Sequence, residues 1–274
     1  MSNSALRRPF TSDRNDSSVA NNRSFLPALV VIATLATIAI NALANIVPFN
    51  NQTTGEISDR YPVYFVPAGY VFSIWSLIYL GLIAYSFYQV RNNQGQTAEF
   101  QTIGKWYLLS AVANSTWIFL WHWNQLALSV LVITVLLISL IGLYARMVQA
   151  GWEQGSATRG EFWCVFVPFS IYLGWSSVAT IANITTWLYA IGWGGLGIDP
   201  VLWAVALLVI GAGFGVYFGF WRRNLAYALV IVWAFIGIAV KQSDVALLVY
   251  TAGGLAGVVL LLALLGWRSR TANA

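Results

Sequence analysis

Charged side chains are scarce in this sequence. Only 8% of its 274 residues are Asp, Glu, Lys or Arg, whereas 59% are hydrophobic. A soluble domain carries roughly 25% charged residues. The composition therefore excludes an ordinary soluble protein and indicates an integral membrane protein. We expect it to contact membrane lipid and to have no nucleic-acid partner.

Cysteine and histidine each occur once. Because Cys164 is the single cysteine, an internal disulfide and a cysteine metal cluster are excluded. His122 could ligate haem iron axially, but its position within Trp121-His122-Trp123 favours an interfacial aromatic belt. We expect no metal site and no resident cofactor.

Ionisable groups are missing from the middle of the apolar segments. The nine carboxylates lie in loops or at segment ends: Asp13, Asp16, Glu56, Asp59, Glu99, Glu153, Glu161, Asp199 and Asp244. This pattern argues against an ion-coupled transporter, which usually has intramembrane ionisable residues. Phosphate-loop, HExxH and Ser-His-Asp patterns are also missing. We expect a protein that is not an enzyme; a lipid-modifying enzyme would need a mid-membrane acid or base that the sequence lacks.

Apolar segments of about 20 residues, enough to cross a bilayer, fill most of the chain. Eight are predicted, approximately at residues 26–47, 67–90, 103–123, 125–148, 162–189, 200–221, 224–240 and 245–267. The first could be a cleaved signal because Ala42-Leu43-Ala44 resembles a cleavage site, but its length favours a retained helix. The polar residues 1–25 are predicted to be disordered. The predicted fold is an all-α, multi-pass membrane protein with eight transmembrane helices.

Basic residues predict the orientation of these helices. If the N-terminus is cytoplasmic, twelve of the fourteen Lys and Arg residues lie on the inner side, and only Arg60 and Lys241 lie outside. This positive-inside bias predicts that both termini are cytoplasmic, as in a bacterial inner or plasma membrane protein.

Aromatic residues are abundant, with fourteen Trp, and they recur at helical spacing on three predicted helices. These rows are Phe72, Trp75 and Tyr79; Asn114, Trp117 and Trp121; and Trp175, Ala179, Asn183 and Trp187. Converging rows would enclose a cavity with flat aromatic walls and one or two amides, which suits a large planar apolar ligand. Spacing alone also allows ordinary helix packing.

The loop at residues 48–66 separates the first two predicted helices. It is bracketed by prolines and ends in an aromatic cluster of Tyr61, Tyr64 and Phe65. This cluster is consistent with a lid over a binding site or with a segment at the level of the lipid headgroups.

Three stretches resemble the tryptophan-rich sensory protein family, which includes the translocator protein. They are Phe65-Val66-Pro67-Ala68-Gly69-Tyr70-Val71-Phe72 with Trp75 and Tyr79, Asn114-xx-Trp117, and Tyr172-Leu173-Gly174-Trp175 with Ala179, Asn183 and Trp187. The resemblance covers approximately residues 26–190. It implies a five-helix ligand-binding bundle there and three accessory helices at residues 200–267.

The resemblance also implies a function. Family members bind tetrapyrroles such as protoporphyrin and haem, or sterol-like lipids, beneath the loop between the first two helices. The sequence therefore predicts a membrane receptor or sensor with a regulatory role; the alternative is a carrier that transports a hydrophobic metabolite. The predicted ligand-binding residues are Phe72, Trp75, Tyr79, Asn114, Trp117, Trp121, Trp175, Asn183, Tyr61, Tyr64 and Phe65. Ala68 and Tyr70 depart from the family pattern and leave the ligand's identity open.

Two further patterns concern lipid and helix contacts. Leu140 to Arg146 fits a loose cholesterol-contact pattern, for which anchoring of the fourth helix by Tyr144 and Arg146 at the cytoplasmic face is the preferred interpretation. Gly211, Gly215 and Gly219 form a small-residue row that allows close helix approach, either within the chain or in a homodimer.

Overall fold

The computed structural model describes residues 24–271, so most of the tail predicted to be disordered lies outside the described residues. Within this range the chain is helical and contains no strand. Its long helices are α1 Leu26–Ile46, α2 Ile74–Val90, α3 Ala98–His122, α4 Leu126–Gln149, α5 Val167–Ala190, α6 Pro200–Val216, α7 Leu225–Lys241 and α8 Ala246–Thr271.

Shorter helical turns extend several of these helices. A 3₁₀ turn, Gly69–Ser73, leads into α2, and π-helical turns at Phe162–Phe166 and Tyr217–Trp221 precede α5 and follow α6. A separate six-residue helix, Thr54–Asp59, lies between α1 and α2. We call it the loop helix.

Within residues 24–271, six helical segments are long and apolar enough to cross a membrane. They are Leu26–Ile46, Gly69–Val90, Leu126–Gln149, Arg159–Ala190, Pro200–Trp221 and Ala246–Arg268. The chain is thus an integral multi-pass membrane protein, but the predicted count of eight spans is not confirmed. Helix α7 is apolar but has only 17 residues, and α3 contains polar residues such as Ser110 and Asn114, both fully buried.

The first five long helices form a closed ring in the order α2, α1, α3, α4, α5 and back to α2. Buried polar pairs join neighbouring helices inside it. The Thr34 hydroxyl lies 2.6 Å from the Tyr107 hydroxyl, and the Asn41 amide donates to Asn114 Oδ1 at 2.7 Å. Because hydrocarbon offers no hydrogen-bond partner, such pairs favour one register between adjacent helices.

The last three long helices pack against this ring through α7. It contacts α5 and the 3₁₀ turn before α2, while α6 and α8 pack against α7 and against each other. Gly174 permits the close α5–α7 approach, because a Cβ there would lie 3.1 Å from Val230 Cβ and 3.2 Å from the Tyr227 carbonyl oxygen. The C-terminal helices are therefore in direct contact with two helices of the ring.

A buried polar network joins the two groups of helices at one end of the molecule. We call this end the arginine end, and the end with the loop helix the loop end. Glu153 is 6% exposed; its carboxylate accepts from Arg222 Nε at 3.1 Å and from the Tyr144 hydroxyl. Asn224 donates to Ser170 Oγ at 2.8 Å and to the Tyr144 hydroxyl at 3.3 Å. The network fixes the beginning of α7 against α4 and α5.

This network corrects the interpretation of Tyr144 as an anchor at the membrane surface. The ring is 6% exposed and its hydroxyl is directed at a buried carboxylate, so it is not free to lie among headgroups. Arg146 is half-buried, and its guanidinium lies 3.8 Å from the Glu99 carboxylate.

The glycine row on α6 and the π-helical turn after it faces helices of the same chain. A Cβ at Gly215 would lie 2.9 Å from Val259 Cγ1, and one at Gly219 would lie 2.8 Å from Ala263 Cβ and 2.9 Å from Ala228 Cβ. The structure therefore has the intrachain contact, in which the glycine row packs against α7 and α8.

Replacing Gly219 with valine is expected to lower the melting temperature, because the added side chain must displace α8 or α7. Overpacking of this kind costs about 1–3 kcal/mol. Gly213→Val is the matched control on the same helix, since its Cβ would meet nothing within 4 Å. Equal melting temperatures for the two variants in detergent would contradict the close packing.

Candidate ligand-binding site

A small cavity lies at the loop end between α2, α3 and α5, with a volume of about 40 Å³. Helix α3 contributes two tryptophans, the beginning of α2 and the turn before it contribute two more aromatic rings, and the loop helix closes the cavity. The lining residues are Thr54, Ser58, Val66, Pro67, Phe72, Trp75, Trp117, Trp121, Trp175, Val178, Ala179, Ala182, Asn183 and Thr186.

The aromatic walls are packed ring against ring. Phe72 and Trp75 both meet Trp175 edge to face, with centroid distances of 5.7 and 6.3 Å. Trp117 and Trp121, one helical turn apart on α3, stack at 5.7 Å with an interplanar angle of 22°. Edge-to-face and offset-stacked pairs are the favourable aromatic geometries, so the closed cavity has a well-packed wall.

Asn183 supplies the amide in this wall. It is 2% exposed; its Oδ1 accepts from Trp117 Nε1 at 2.7 Å, and its Nδ2 donates to Ser129 Oγ at 2.9 Å. The side chain thereby links α5 to both α3 and α4, and its oxygen already has a donor.

Trp175 carries a buried donor without a partner. The residue is 2% exposed, and its Nε1 has no hydrogen-bond acceptor among the residues that the structure describes. A buried unpaired N–H costs roughly 1–3 kcal/mol. A ligand oxygen that accepted from it would recover that cost.

Two predicted site residues on α2 and α3 lie outside the cavity lining. Tyr79 stacks on Trp75 at 5.7 Å and supports it from behind. Asn114 is fully buried and accepts from Asn41 of α1, so it takes part in the contact between α1 and α3.

The three aromatic residues predicted for the lid lie beside the cavity and contribute none of its lining residues. Phe65 is 2% exposed and belongs to the hydrophobic core. Tyr61 packs edge to face on Tyr189 with a centroid distance of 6.4 Å, and the Tyr64 carbonyl accepts from Gln242 Nε2 at 3.2 Å.

The loop helix and the segment after it form a cover over the cavity; we use this name for residues 54–68. Trp121 Nε1 donates to the Thr54 carbonyl at 3.2 Å, which holds the loop helix on α3. Asp59 forms an ion pair with Lys241 of α7, and the Ala68 amide donates to the Gly237 carbonyl at 3.0 Å. The cover is therefore held from two sides, by α3 and by α7.

The loop helix has a sequence signal that the prediction missed. Thr53 and Glu56 form a capping box, the S/T-x-x-E pattern of a helix N-terminus. The Thr53 backbone N–H donates to the Glu56 carboxylate at 2.7 Å, and this hydrogen bond holds the pKa of that carboxyl below its usual value. Helical spacing along α5 could similarly have added Ala182 and Thr186 to the site.

His122 does not line the cavity. It is fully buried, its Nδ1 donates to the Ile118 carbonyl at 2.7 Å, and its ring meets Phe49 edge to face. In the described part of the chain, no three His, Cys, Asp or Glu side chains are grouped so that they could hold a metal ion.

A comparison with protein-family models matches residues 27–265 to the TSPO-like protein family. The chain belongs to this family. The TSPO-like match continues beyond residue 190 and through the last three long helices, where the sequence alone suggested no resemblance. Searches of curated proteins and of solved structures found no match.

The indole N–H groups of Trp117 and Trp175, which both line the cavity, provide a test of its hydrogen bonds. Trp117→Phe removes the donor to Asn183, whereas Trp175→Phe removes a donor without a partner. We expect Trp117→Phe to cost about 0.5–1.5 kcal/mol more in thermal or denaturant unfolding. Equal losses in the two variants would contradict the hydrogen-bond arrangement.

Proposed function

We propose that this TSPO-like protein is a membrane receptor or sensor that binds a planar hydrophobic ligand, a tetrapyrrole or a sterol-like lipid, between α2, α3 and α5. The observation that carries the proposal is the wall formed by Phe72, Trp75, Trp117, Trp121 and Trp175 under the cover. TSPO-like proteins are generally receptors or transporters and not enzymes.

The chemistry of the wall supports a mostly apolar ligand with few polar groups. The rings offer flat surfaces for stacking, and the polar groups at the cavity are few. Trp175 Nε1 can donate to a ligand oxygen or nitrogen, and Asn183 can orient a polar edge. An apolar pocket with a few placed polar groups is typical of small-molecule sites.

The size of the cavity requires movement before such a ligand binds. Ligand pockets usually have volumes of roughly 300–1,000 Å³, whereas this cavity has about 40 Å³. The structure thus corresponds to a closed state, and binding needs displacement of the cover, of the aromatic rings, or of both.

The cover is the element best placed to move. The Asp59–Lys241 ion pair is partly solvent-exposed, with side-chain exposures of 51% and 28%, and such pairs contribute about 0–1 kcal/mol. The stronger constraint is Gly237, where the missing side chain lets Pro67 and Val71 pack on α7. Helix α7 thereby holds the cover closed.

We also propose that all eight long helices cross the membrane with both termini cytoplasmic. Helix α7 has 17 residues, about 25 Å at 1.5 Å per residue, and α3 has 25 residues between α1 and α4. Arg91, Arg146, Arg222 and Arg223 lie at the arginine end, which the positive-inside rule places in the cytoplasm.

Titration of the purified protein with protoporphyrin IX, followed by tryptophan fluorescence, tests the binding site. Wild type is expected to show saturable quenching. The double variant Trp175→Ala/Asn183→Ala should bind at least tenfold more weakly, a change of about 1.4 kcal/mol. Ala182→Leu should also weaken binding, because it fills the cavity while keeping all fluorophores.

Trp221→Ala is the matched control for the loss of one fluorophore. This tryptophan is 65% exposed and lies outside the cavity lining, so its removal should leave the dissociation constant unchanged. Unsaturable quenching of equal strength in all folded variants would refute the proposed site.

Hydrogen exchange tests the role of α7 without any ligand. In Gly237→Ala the added Cβ would fall on Val71 Cγ2 and lie 3.1 Å from Pro67 Cβ. The cover must then separate from α7, so the backbone amides of residues 54–68 should exchange faster in the absence of ligand. In a separate binding experiment, protoporphyrin should associate faster with this variant than with wild type. Gly253→Ala is the control, because its Cβ would meet nothing within 4 Å; unchanged exchange in Gly237→Ala would exclude α7 as the element that holds the cover.

A further inference from the structure

A second, larger concave surface lies on the other side of α2 and α5. It is a groove of about 460 Å³ between α2, the N-terminal part of α5, α7 and the end of α8. Its walls are almost entirely apolar, with Leu77, Phe166, Ile171, Leu229 and Trp233 among them. Leu77 is 52% exposed and Leu229 is 44% exposed, so the groove is open along its outer side.

The groove has the length of one leaflet of a bilayer. Its wall on α7 runs from Leu225 to Trp233, which is about 12 Å at 1.5 Å per residue. Half of a hydrocarbon core is about 15 Å thick. Trp233 Nε1 donates to the Val71 carbonyl at 3.1 Å and closes the inner end of the groove, so an occupant would enter from the arginine end or from the side.

Arg223 is the charged residue among those that line the groove, and it lies at the arginine end. Arg222 is neutralised by Glu153, with an N–O distance of 2.5 Å. Arg223 lines the groove and is half-buried, and among the described residues no carboxylate lies within 4 Å of its guanidinium. Asn224 is also at this end, but its amide is already used by Ser170 and Tyr144.

Two tryptophans indicate that this end lies at the level of the lipid headgroups. Trp163 is 66% exposed and Trp267 is half-buried, and both line the groove beside Arg223. Tryptophan is enriched at the membrane–water interface, and basic sites between transmembrane helices bind anionic headgroups. The apolar part of the groove therefore lies within the hydrocarbon, and its charged end lies among phosphates.

We propose that this groove is a binding site for an anionic glycerophospholipid of the surrounding bilayer. One acyl chain lies along α7 between Leu77 and Leu229, and the phosphate accepts hydrogen bonds from the Arg223 guanidinium, whose planar fork matches phosphate geometry. The proposal is independent of the ligand proposed for the small cavity, because the two sites have different lining residues.

Native mass spectrometry of the delipidated full chain in uncharged detergent tests this site. The probes are phosphatidylglycerol and phosphatidylcholine with identical acyl chains. Wild type should retain one phosphatidylglycerol at least tenfold more tightly than phosphatidylcholine, a difference of about 1.4 kcal/mol. Arg223→Gln should reduce phosphatidylglycerol binding to the phosphatidylcholine level, and Leu229→Trp should weaken the binding of both lipids.

Matched variants separate the site from general effects. Arg91→Gln removes an exposed arginine from the same end, and Leu131→Trp enlarges a 63% exposed side chain on α4; neither should change lipid retention. Equal affinity of wild type for the two lipids, or equal losses in Arg223→Gln and Arg91→Gln, would overturn the proposal. Arg223→Gln changes a partly exposed side chain, so it keeps the test valid if Leu229→Trp fails to fold.

Two other occupants would give different results. A free fatty acid of the same chain length that displaces phosphatidylglycerol at equal concentration would show that the groove takes a carboxylate amphiphile instead. A dimer mass in wild type that Leu229→Trp converts to monomer would show that a second copy of the chain covers the groove. Either result would refute the phospholipid site.

Discussion

The contact between α7 and the cover is the interaction on which the loop end of this protein depends. Because Gly237 has no side chain, Val71 and Pro67 pack against the backbone of α7, and the Gly237 carbonyl accepts a hydrogen bond from Ala68. This contact fixes the segment that carries Phe72 into the cavity wall. A helix that provides none of the described lining residues of the cavity therefore contacts the segment that forms part of its wall.

The same α2 segment separates the cavity from the groove. Trp75 lines the cavity and Leu77 lines the groove, as expected for residues two apart, which point about 200° away from each other on a helix. The wall is thus one helix thick. A displacement of α2 that widens the cavity must narrow the groove, unless α7 moves with it. Trp233 Nε1 of α7 donates to the Val71 carbonyl, and this hydrogen bond favours joint movement.

The sequence predicted the aromatic part of the cavity because helical spacing is a local property. Phe72, Trp75, Trp117, Trp121, Trp175 and Asn183 share one space, as their rows on three helices indicated. Asn114 is on the same row as Trp121 but about two turns away, roughly 10 Å along the axis, and at that depth its neighbour is Asn41 of α1. A row specifies a face of a helix, but the level at which a cavity opens depends on the neighbouring helices.

Other features depend on residues far apart in the chain and had no local signal. The cover contacts Lys241, 182 residues from Asp59, and Tyr144 is buried because Glu153, Arg222 and Asn224 meet it there. Length and hydropathy also leave open whether α3 and α7 cross the membrane. A helix surrounded by other helices can carry polar residues on its buried face or be shorter than a lipid-facing span, so neither its composition nor its length establishes how it lies in the membrane.

A closed cavity of about 40 Å³ makes the apparent affinity of the proposed site depend on its opening. The apparent dissociation constant equals the intrinsic constant divided by the fraction of molecules in the binding-competent state. In the proposed function, each contact of α7 with the cover lowers that fraction and so weakens the apparent affinity, while the aromatic wall determines the intrinsic constant. The competent fraction and the intrinsic constant can therefore be altered separately, the fraction through Gly237 and Lys241 and the intrinsic constant through Trp175 and Asn183. The proposed function thus assigns to the C-terminal helices the control of ligand access, and the proposed lipid in the groove beside α7 would act on that control through α7.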